Sequence, residues 1–176
     1  MQPVINVMSD LRDTYPLTQD EMATIEIELS RAPGHDSRPK PTSGLDGKFS
    51  FEYCAIMPLV TNPVGIDSFS DATRFTPAVD EALTKVSLHH NPALGRGANA
   101  IVTMKDGRIL KGECRDFRGS IRNPMTRHEH DVKYRDCAKR VLSPEDIDRV
   151  RDMVAHLERH ADIRQLIALL ARTSEL

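Results

Sequence analysis

The alternation of apolar and polar positions divides the chain into helices and strands. Apolar residues with helical spacing over residues 3–14 predict a first helix. Four later runs have the period-two or β-rich pattern of strands: 23–29, 85–89, 98–105 and 108–116. The last two of these runs flank Asp106-Gly107, a dipeptide typical of a two-residue hairpin turn.

Capping residues predict where the later helices begin. Thr76-Pro77 and Ser143-Pro144 each combine an N-cap hydroxyl with a proline at the first helical position. A capping box begins at Thr126, and its helix is expected to run through residue 142. The buried side of that helix is expected to carry Val132, Cys137 and Val141. A break near residues 161–162 is expected to separate the last two helices.

These elements predict an α+β fold for residues 1–176, taken as a single domain. We expect a small antiparallel or mixed sheet of about four strands packed with about five or six helices. A chain of 176 residues can bury a substantial core. Residues 31–47 are rich in proline, glycine and basic side chains, which favours a loop that leads directly into Lys48.

Composition excludes several classes of function. The net charge of −2 and the absence of tryptophan argue against a nucleic-acid partner. No apolar run approaches the roughly 20 residues of a membrane span. The three widely spaced cysteines, Cys54, Cys114 and Cys137, form no CxxC pair, so we expect neither a disulfide framework nor a cysteine zinc site. They indicate a reducing, cytoplasmic compartment, and we interpret them as buried small hydrophobes.

The most informative stretch is residues 48–60, where Lys48, Ser50 and Tyr53 precede or begin a mostly apolar helix. Backbone N–H groups at a helix start attract anions, so a cation, a hydroxyl and a phenol there could hold a carboxylate-bearing substrate. The alternative is an ordinary capped core helix. A Gly/Asn/Pro loop over residues 119–124 contains Arg122 and follows Arg118. Both arginines could also bind carboxylates, or could simply be solvated.

Seven histidines raise the possibility of a metal site, but none of their spacings is convincing. His156 and His160 lie four residues apart on a predicted helix, a spacing that can chelate one ion. No third or fourth ligand accompanies them in a recognised zinc pattern, so we expect no metal. We also find no basis for a nucleotide, flavin or pyridoxal cofactor.

The same sequence resembles a known family. Lys48-Phe49-Ser50, followed by Tyr53 and an apolar helix, is similar to the second domain of the MmgE/PrpD family, which includes 2-methylcitrate dehydratases and cis-aconitate decarboxylases. Later segments resemble that domain in the same order: 69–86, 98–116 with its Asp106-Gly107 turn, 119–126 with Asn123-Pro124, then Glu129 and Lys133-Tyr134.

The resemblance implies a metal-independent lyase acting on a small polycarboxylate by proton abstraction next to a carboxylate. It implies a catalytic role for Tyr53, and Lys48 and Ser50 follow as neighbouring substrate-binding residues. From its place on the Gly/Asn/Pro loop, Arg122 is a further candidate for binding the substrate. Members of the family also carry a large helical first domain that supplies most catalytic groups. Where they have His-Pro before the first helix of this region, this chain has Gln2-Pro3, and an amide cannot transfer a proton.

Two hypotheses therefore remain open. In the first, this domain completes a lyase site (a dehydratase, decarboxylase or epimerase) together with a separate helical chain. In the second, it is a non-catalytic, truncated domain that folds and self-associates as a homo-oligomer. An exposed apolar surface where a helical domain would dock would support the first hypothesis.

Overall fold

The computed structural model describes residues 1–15, 17–30 and 37–171 and confirms the α+β class. The chain forms two compact units, Met1–Met125 and Thr126–Leu176. Residues 31–36 of the predicted loop lie outside the described part. No helix among the described residues is long and apolar enough to cross a membrane.

The first unit is built on a four-stranded mixed sheet, and all four predicted strands are confirmed. In chain order the strands are β1 (Met22–Leu29), β2 (Val86–His90), β3 (Ala98–Met104) and β4 (Ile109–Cys114). Their order in the sheet is β2-β1-β3-β4. Strand β1 runs parallel to β2 and antiparallel to β3, and β3 runs antiparallel to β4.

The turn between β3 and β4 is longer than the predicted two-residue turn. The N–H of Gly107 donates to the carbonyl of Met104 over 3.0 Å, and the N–H of Met104 donates to the carbonyl of Arg108 over 2.8 Å. Gly107 has a φ of +89°, which glycine adopts without a steric penalty. Together these contacts define a three-residue loop closed by a glycine bulge.

Helices α1 (Gln2–Thr14) and α3 (Phe51–Val60) pack together on one face of the sheet, which we call the inner face. The predicted apolar stripe of α1 is confirmed by four buried side chains: Val4, Val7, Met8 and Leu11. Arg12 ties the two helices together by donating to the carbonyl of Pro58 over 3.0 Å. The core between them is continuous with Ile25 and Ile27 of β1.

Three short helices connect β1 to β2 around α3: α2 (Gly44–Gly47), α4 (Asp71–Arg74) and α5 (Pro77–Leu83). Part of the predicted loop is therefore helical, because Ser43 caps α2 by accepting from the N–H of Asp46. Thr76 is the N-cap of α5 as predicted, but its hydroxyl donates to the carbonyl of Thr73 instead of capping the helix.

The second unit contains α6 (Arg127–Ala138), α7 (Pro144–Ala155) and α8 (Arg164–Leu170). The capping box at its start is confirmed, because Thr126 and Glu129 each accept from the other's backbone N–H. Ser143 caps α7. A small apolar cluster within this unit is formed by Val150, Met153 and Leu169, with Tyr134, Leu142 and Leu166 packed against it.

The predicted buried side of α6 is wrong. Val132, Cys137 and Val141 are exposed, whereas Ala138 is buried. The orientation of α6 is set by α7, since the hydroxyl of Tyr134 donates to the carbonyl of Ile147 over 2.8 Å. The helix also ends at Ala138 instead of residue 142, which leaves Val141 beyond its last turn.

Candidate active site at the start of helix α3

Helix α3 begins at Phe51, and Ser50 is its N-cap. The Ser50 hydroxyl accepts from the N–H of Tyr53 over 3.0 Å and lies 2.7 Å from the carbonyl of Arg38, to which it donates. Ser50 is fully buried. In this arrangement its hydroxyl holds the helix start to the segment at Arg38, which is the structural role that a buried cap commonly has.

Tyr53 points into the core. Its hydroxyl donates to the carbonyl of Ser68 over 2.7 Å, and its side chain is fully buried. The ring lies 5.9 Å from that of Phe69, and Gly47 packs so closely on it that an added Cβ would lie 2.7 Å from the ring. Burial raises the pKa of Tyr53 to about 12, although Arg74 opposes that shift.

Lys48 lies in the short connection between α2 and α3 and is exposed. Its ammonium nitrogen is 5.9 Å from the centre of the Phe69 ring, the same ring that packs on Tyr53. A cation over an aromatic face is attracted by the ring quadrupole. Phe69 therefore connects the exposed cation to the buried phenol.

Glu52 is a site residue that the sequence reasoning missed. It is only 3% exposed, yet its carboxylate accepts from the Ser37 hydroxyl over 2.7 Å and from the N–H of Arg38 over 3.1 Å. A negative charge in the first turn of a helix is stabilised by the helix dipole. An acidic residue two positions after the N-cap Ser50 is the sequence pattern that could have identified it. The chain's own carboxylate thus lies where a substrate anion was expected.

Arg38 adds a second positive charge beside this helix start. Its guanidinium forms an ion pair with Asp46 and stacks 5.6 Å from the ring of Phe49. The pKa of Asp46 is lowered, first by the N–H of Thr42 and then by Arg38. Because Arg38 lies within the predicted loop of residues 31–47, no sequence pattern placed it here.

Arg122 lies in a different place. It is exposed at a tight turn closed by a hydrogen bond of 2.8 Å from the N–H of Gly119 to the carbonyl of Asn123. Arg118 donates to the Asn123 side chain over 2.7 Å, so that arginine helps to shape the turn. Within the described residues, no hydrogen bond or ion pair connects Arg122 to Lys48, and its substrate-binding role stays a prediction.

Comparison with known proteins decides the family. The family model of the MmgE/PrpD C-terminal domain matches residues 1–159. The chain belongs to the MmgE/PrpD family. It is 30% identical over 139 residues to cis-aconitate decarboxylase from Homo sapiens. The aligned region covers 76% of this chain and 29% of the human protein.

Two further members of the MmgE/PrpD family support the same placement. The cis-aconitate decarboxylase of Mus musculus is 28% identical over 76% of this chain and 28% of its own length. The cis-aconitate decarboxylase-like protein oryM of Aspergillus oryzae is 26% identical over 95% of this chain and 37% of its own length. The chain thus spans about a third of the curated relatives that it matches.

Buried cysteines of this MmgE/PrpD domain are held as thiols. Burial raises the pKa of Cys54 to about 12, and its sulfur lies 3.8 Å from the carbonyl of Gly47. Burial also raises the pKa of Cys114. A thiol with a raised pKa is a poor nucleophile, which supports the predicted packing role of these two residues. Cys137 differs, because it is exposed.

His156 and His160 do not have the one-face helical arrangement that their spacing predicts. Helix α7 ends at Ala155, and Leu157–Arg159 form a 3₁₀ turn, so His156 and His160 do not share a continuous helix face. In the part of the chain that the structure describes, no three His, Cys, Asp or Glu side chains are grouped as metal ligands. The expectation that the domain needs no metal stays a prediction.

We expect the buried phenol of Tyr53 to make the domain sensitive to alkali. Its pKa is about 12 in the folded protein and about 10 when unfolded, so the folded state keeps a proton that the unfolded state loses. The free energy of unfolding should therefore fall as pH rises from about 10 to about 12. Urea titrations across this range should show a shallower fall for Tyr53→Phe, whereas Tyr15→Phe, at a partly exposed tyrosine, should follow the wild type. Equal slopes for all three proteins would contradict this assignment.

Proposed function

We propose that this domain forms part of a lyase site for a small polycarboxylate. The chemistry would be dehydration, decarboxylation or epimerisation, through removal of a proton next to a carboxylate. The observation that carries the proposal is the family match over residues 1–159, together with relatives named cis-aconitate decarboxylase. The helix start with Lys48 and Tyr53 is the part of the domain that we assign to this site.

In this proposal Lys48 and Arg122 bind substrate carboxylates, since both are exposed and positively charged. Tyr53 acts as a hydrogen-bond donor or acid. Its raised pKa keeps the phenol protonated at neutral pH, which suits donation and disfavours a role as base. A substrate oxygen would replace the carbonyl of Ser68 as the acceptor of that proton. Ser50 contributes through its cap, which fixes the backbone at Tyr53.

A separate helical chain is part of the proposal. Gln2 has no group that can accept a proton from carbon, so the base must come from another residue. We therefore propose that the base is supplied by a helical partner that covers the Lys48 side of the domain. Exposed apolar side chains in that region, Leu45 and Phe49, support a covered surface there.

Three observations favour the alternative, a non-catalytic domain that self-associates. The hydroxyl of Tyr53 is already bonded to Ser68, Ser50 is fully buried, and Glu52 holds the anion position at the helix start. Each of these groups is satisfied within the chain itself. A degenerate domain that kept only its fold would retain the same contacts.

The test is to purify the chain from extracts of its own cells, to measure the native mass, and to assay the recovered complex for lyase activity. Recovery with a helical polypeptide, and a loss of about 10²-fold or more in kcat for Tyr53→Phe, would support the lyase. Tyr15→Phe serves as the matched control, and urea unfolding shows whether Tyr53→Phe still folds. Recovery only as a monomer or homo-oligomer without activity would favour the alternative.

A further inference from the structure

Strand β4 is an edge of the sheet, because among the described strands it pairs only with β3. Its side chains alternate. Leu110 and Cys114 are buried on the inner face, whereas Ile109, Lys111 and Glu113 are exposed. Ile109 is 59% exposed. An edge strand of this kind is a template for pairing with another chain.

The turn hydrogen bond fixes which backbone groups of β4 face the free edge. In an antiparallel pair, opposed residues alternate between those that exchange hydrogen bonds and those that do not. The N–H of Met104 donates to the carbonyl of Arg108, so this opposed pair is of the hydrogen-bonded kind. Every second pair of β3 and β4 counted from it therefore also exchanges hydrogen bonds. These pairs are Val102 with Leu110, Ala100 with Gly112, and Ala98 with Cys114. The N–H and C=O groups of Ile109, Lys111 and Glu113 therefore point away from β3.

We propose that a second copy of this chain pairs antiparallel with β4 around a two-fold axis at Gly112. In this register Lys111 lies opposite Glu113 of the second copy, and Glu113 lies opposite its Lys111. The dimer would continue the sheet across the axis and would contain two oppositely charged cross-strand pairs. The inference is independent of the proposed lyase activity.

Charge and pleat together select this register. Side chains on opposed residues of paired strands share a face, so inward Gly112 must meet an inward residue. An axis at Lys111 would place two lysines opposite each other, and an axis at Glu113 would place two glutamates opposite each other. Like charges directly opposite are destabilising, whereas opposite charges contribute favourably. The axis at Gly112 is the register in which both charged positions gain a partner of opposite sign.

Neighbouring positions are compatible with the same pairing. Leu110 lies opposite Cys114 of the second copy on the inner face, so two apolar side chains meet. Ile109 lies opposite Arg115, whose aliphatic stem can cover an exposed isoleucine. In the single chain Arg115 forms an ion pair with Glu113. In the dimer, the Glu113 carboxylate would have Arg115 of its own chain on one side and Lys111 of the second copy on the other.

A charge-swap experiment tests the pairing. Sedimentation or light scattering over a concentration series should show a dimer of the wild-type chain. Lys111→Glu and Glu113→Lys should each weaken the dimer about tenfold, since each change turns two attractive pairs into repulsive ones. The double variant K111E/E113K exchanges the charges and should restore wild-type affinity. Lys133→Glu makes the same change of charge at an exposed position on α6, outside β4, and should leave the affinity unchanged.

Hydrogen exchange locates the interface. The amides of Lys111 and Glu113 should become protected as the protein concentration rises, in step with the mass. A chain that stays monomeric throughout the series would overturn the proposal. So would a dimer that the single variants do not weaken, or a double variant as weak as the singles, because either result places the contact elsewhere. Circular dichroism of each variant confirms that the fold is intact.

Discussion

Replacing Gly44 with alanine is expected to destabilise the protein by roughly 3 kcal/mol, the largest effect that we predict for one methyl group. A Cβ added at Gly44 would lie 2.3 Å from the carbonyl carbon of Ser70 and 2.4 Å from the carbonyl oxygen of Phe69. Both are backbone atoms, so no side-chain rotation can relieve the overlap. Helix α4 would have to move away from α2.

That movement would also break a hydrogen bond. The N–H of Gly44 donates to the Asp71 carboxylate over 2.7 Å, and the peptide that clashes leads directly into α4. The same backbone carries Phe69, the ring that contacts Lys48 and Tyr53. The variant should therefore lose stability and also disturb the candidate site.

Urea unfolding monitored by circular dichroism measures the first effect. Leu45→Ala is the matched control, because Leu45 is adjacent to Gly44 and its side chain is 62% exposed. This substitution should change the free energy of unfolding by less than about 0.5 kcal/mol. A Gly44→Ala protein as stable as Leu45→Ala would show that α2 and α4 can separate at little cost, contrary to our expectation.

Replacing Glu52 with alanine is expected to cost about 2–4 kcal/mol. The buried carboxylate accepts from Ser37 and from the N–H of Arg38, and those donors would lose their partner without gaining water. The favourable interaction of the negative charge with the start of α3 would be lost as well. The decrease in the free energy of unfolding should exceed the decrease caused by removing any surface carboxylate in the domain.

The comparison variant is Glu81→Ala, which removes a 57% exposed carboxylate that pairs with Lys85. An exposed pair of this kind contributes at most about 1 kcal/mol. Hydrogen exchange gives a second measurement, since the Arg38 amide should exchange at least tenfold faster in Glu52→Ala than in the wild type. Unchanged protection of that amide would mean that Glu52 does not hold the segment in solution.

Gly44 and Glu52 both act on the candidate site by holding the segments around the start of α3 in place. Tyr53 is positioned by contacts with residues outside its own helix: Gly47 and Phe69 pack on its ring, and Ser68 accepts from its hydroxyl. Phe69 also contacts Lys48. The structure leaves Lys48 exposed at this helix start and buries Ser50 and Tyr53. It leaves Arg122 without a described contact to them, and their proposed roles await the lyase assay.

The sequence by itself determined the four strands, several helix starts and the resemblance to the family. Period-two alternation placed β1, the Asp106-Gly107 dipeptide placed the hairpin, and Thr126 with Glu129 placed the start of α6. These signals are local, because they depend on backbone preferences and on side chains a few residues apart. The ordered resemblance to the MmgE/PrpD second domain rests equally on the sequence.

Only the tertiary structure decided which side chains are buried and which groups bond to one another. The buried face of α6 depends on α7, so no local pattern could exclude Val132 and Cys137 from the core. The turn at Gly107 became one residue longer because the ladder of β3 and β4 closes at Met104 and Arg108. Glu52 and the pKa of Tyr53 likewise depend on contacts distant in sequence. Burial and hydrogen bonding between distant segments follow from packing, which local patterns do not encode.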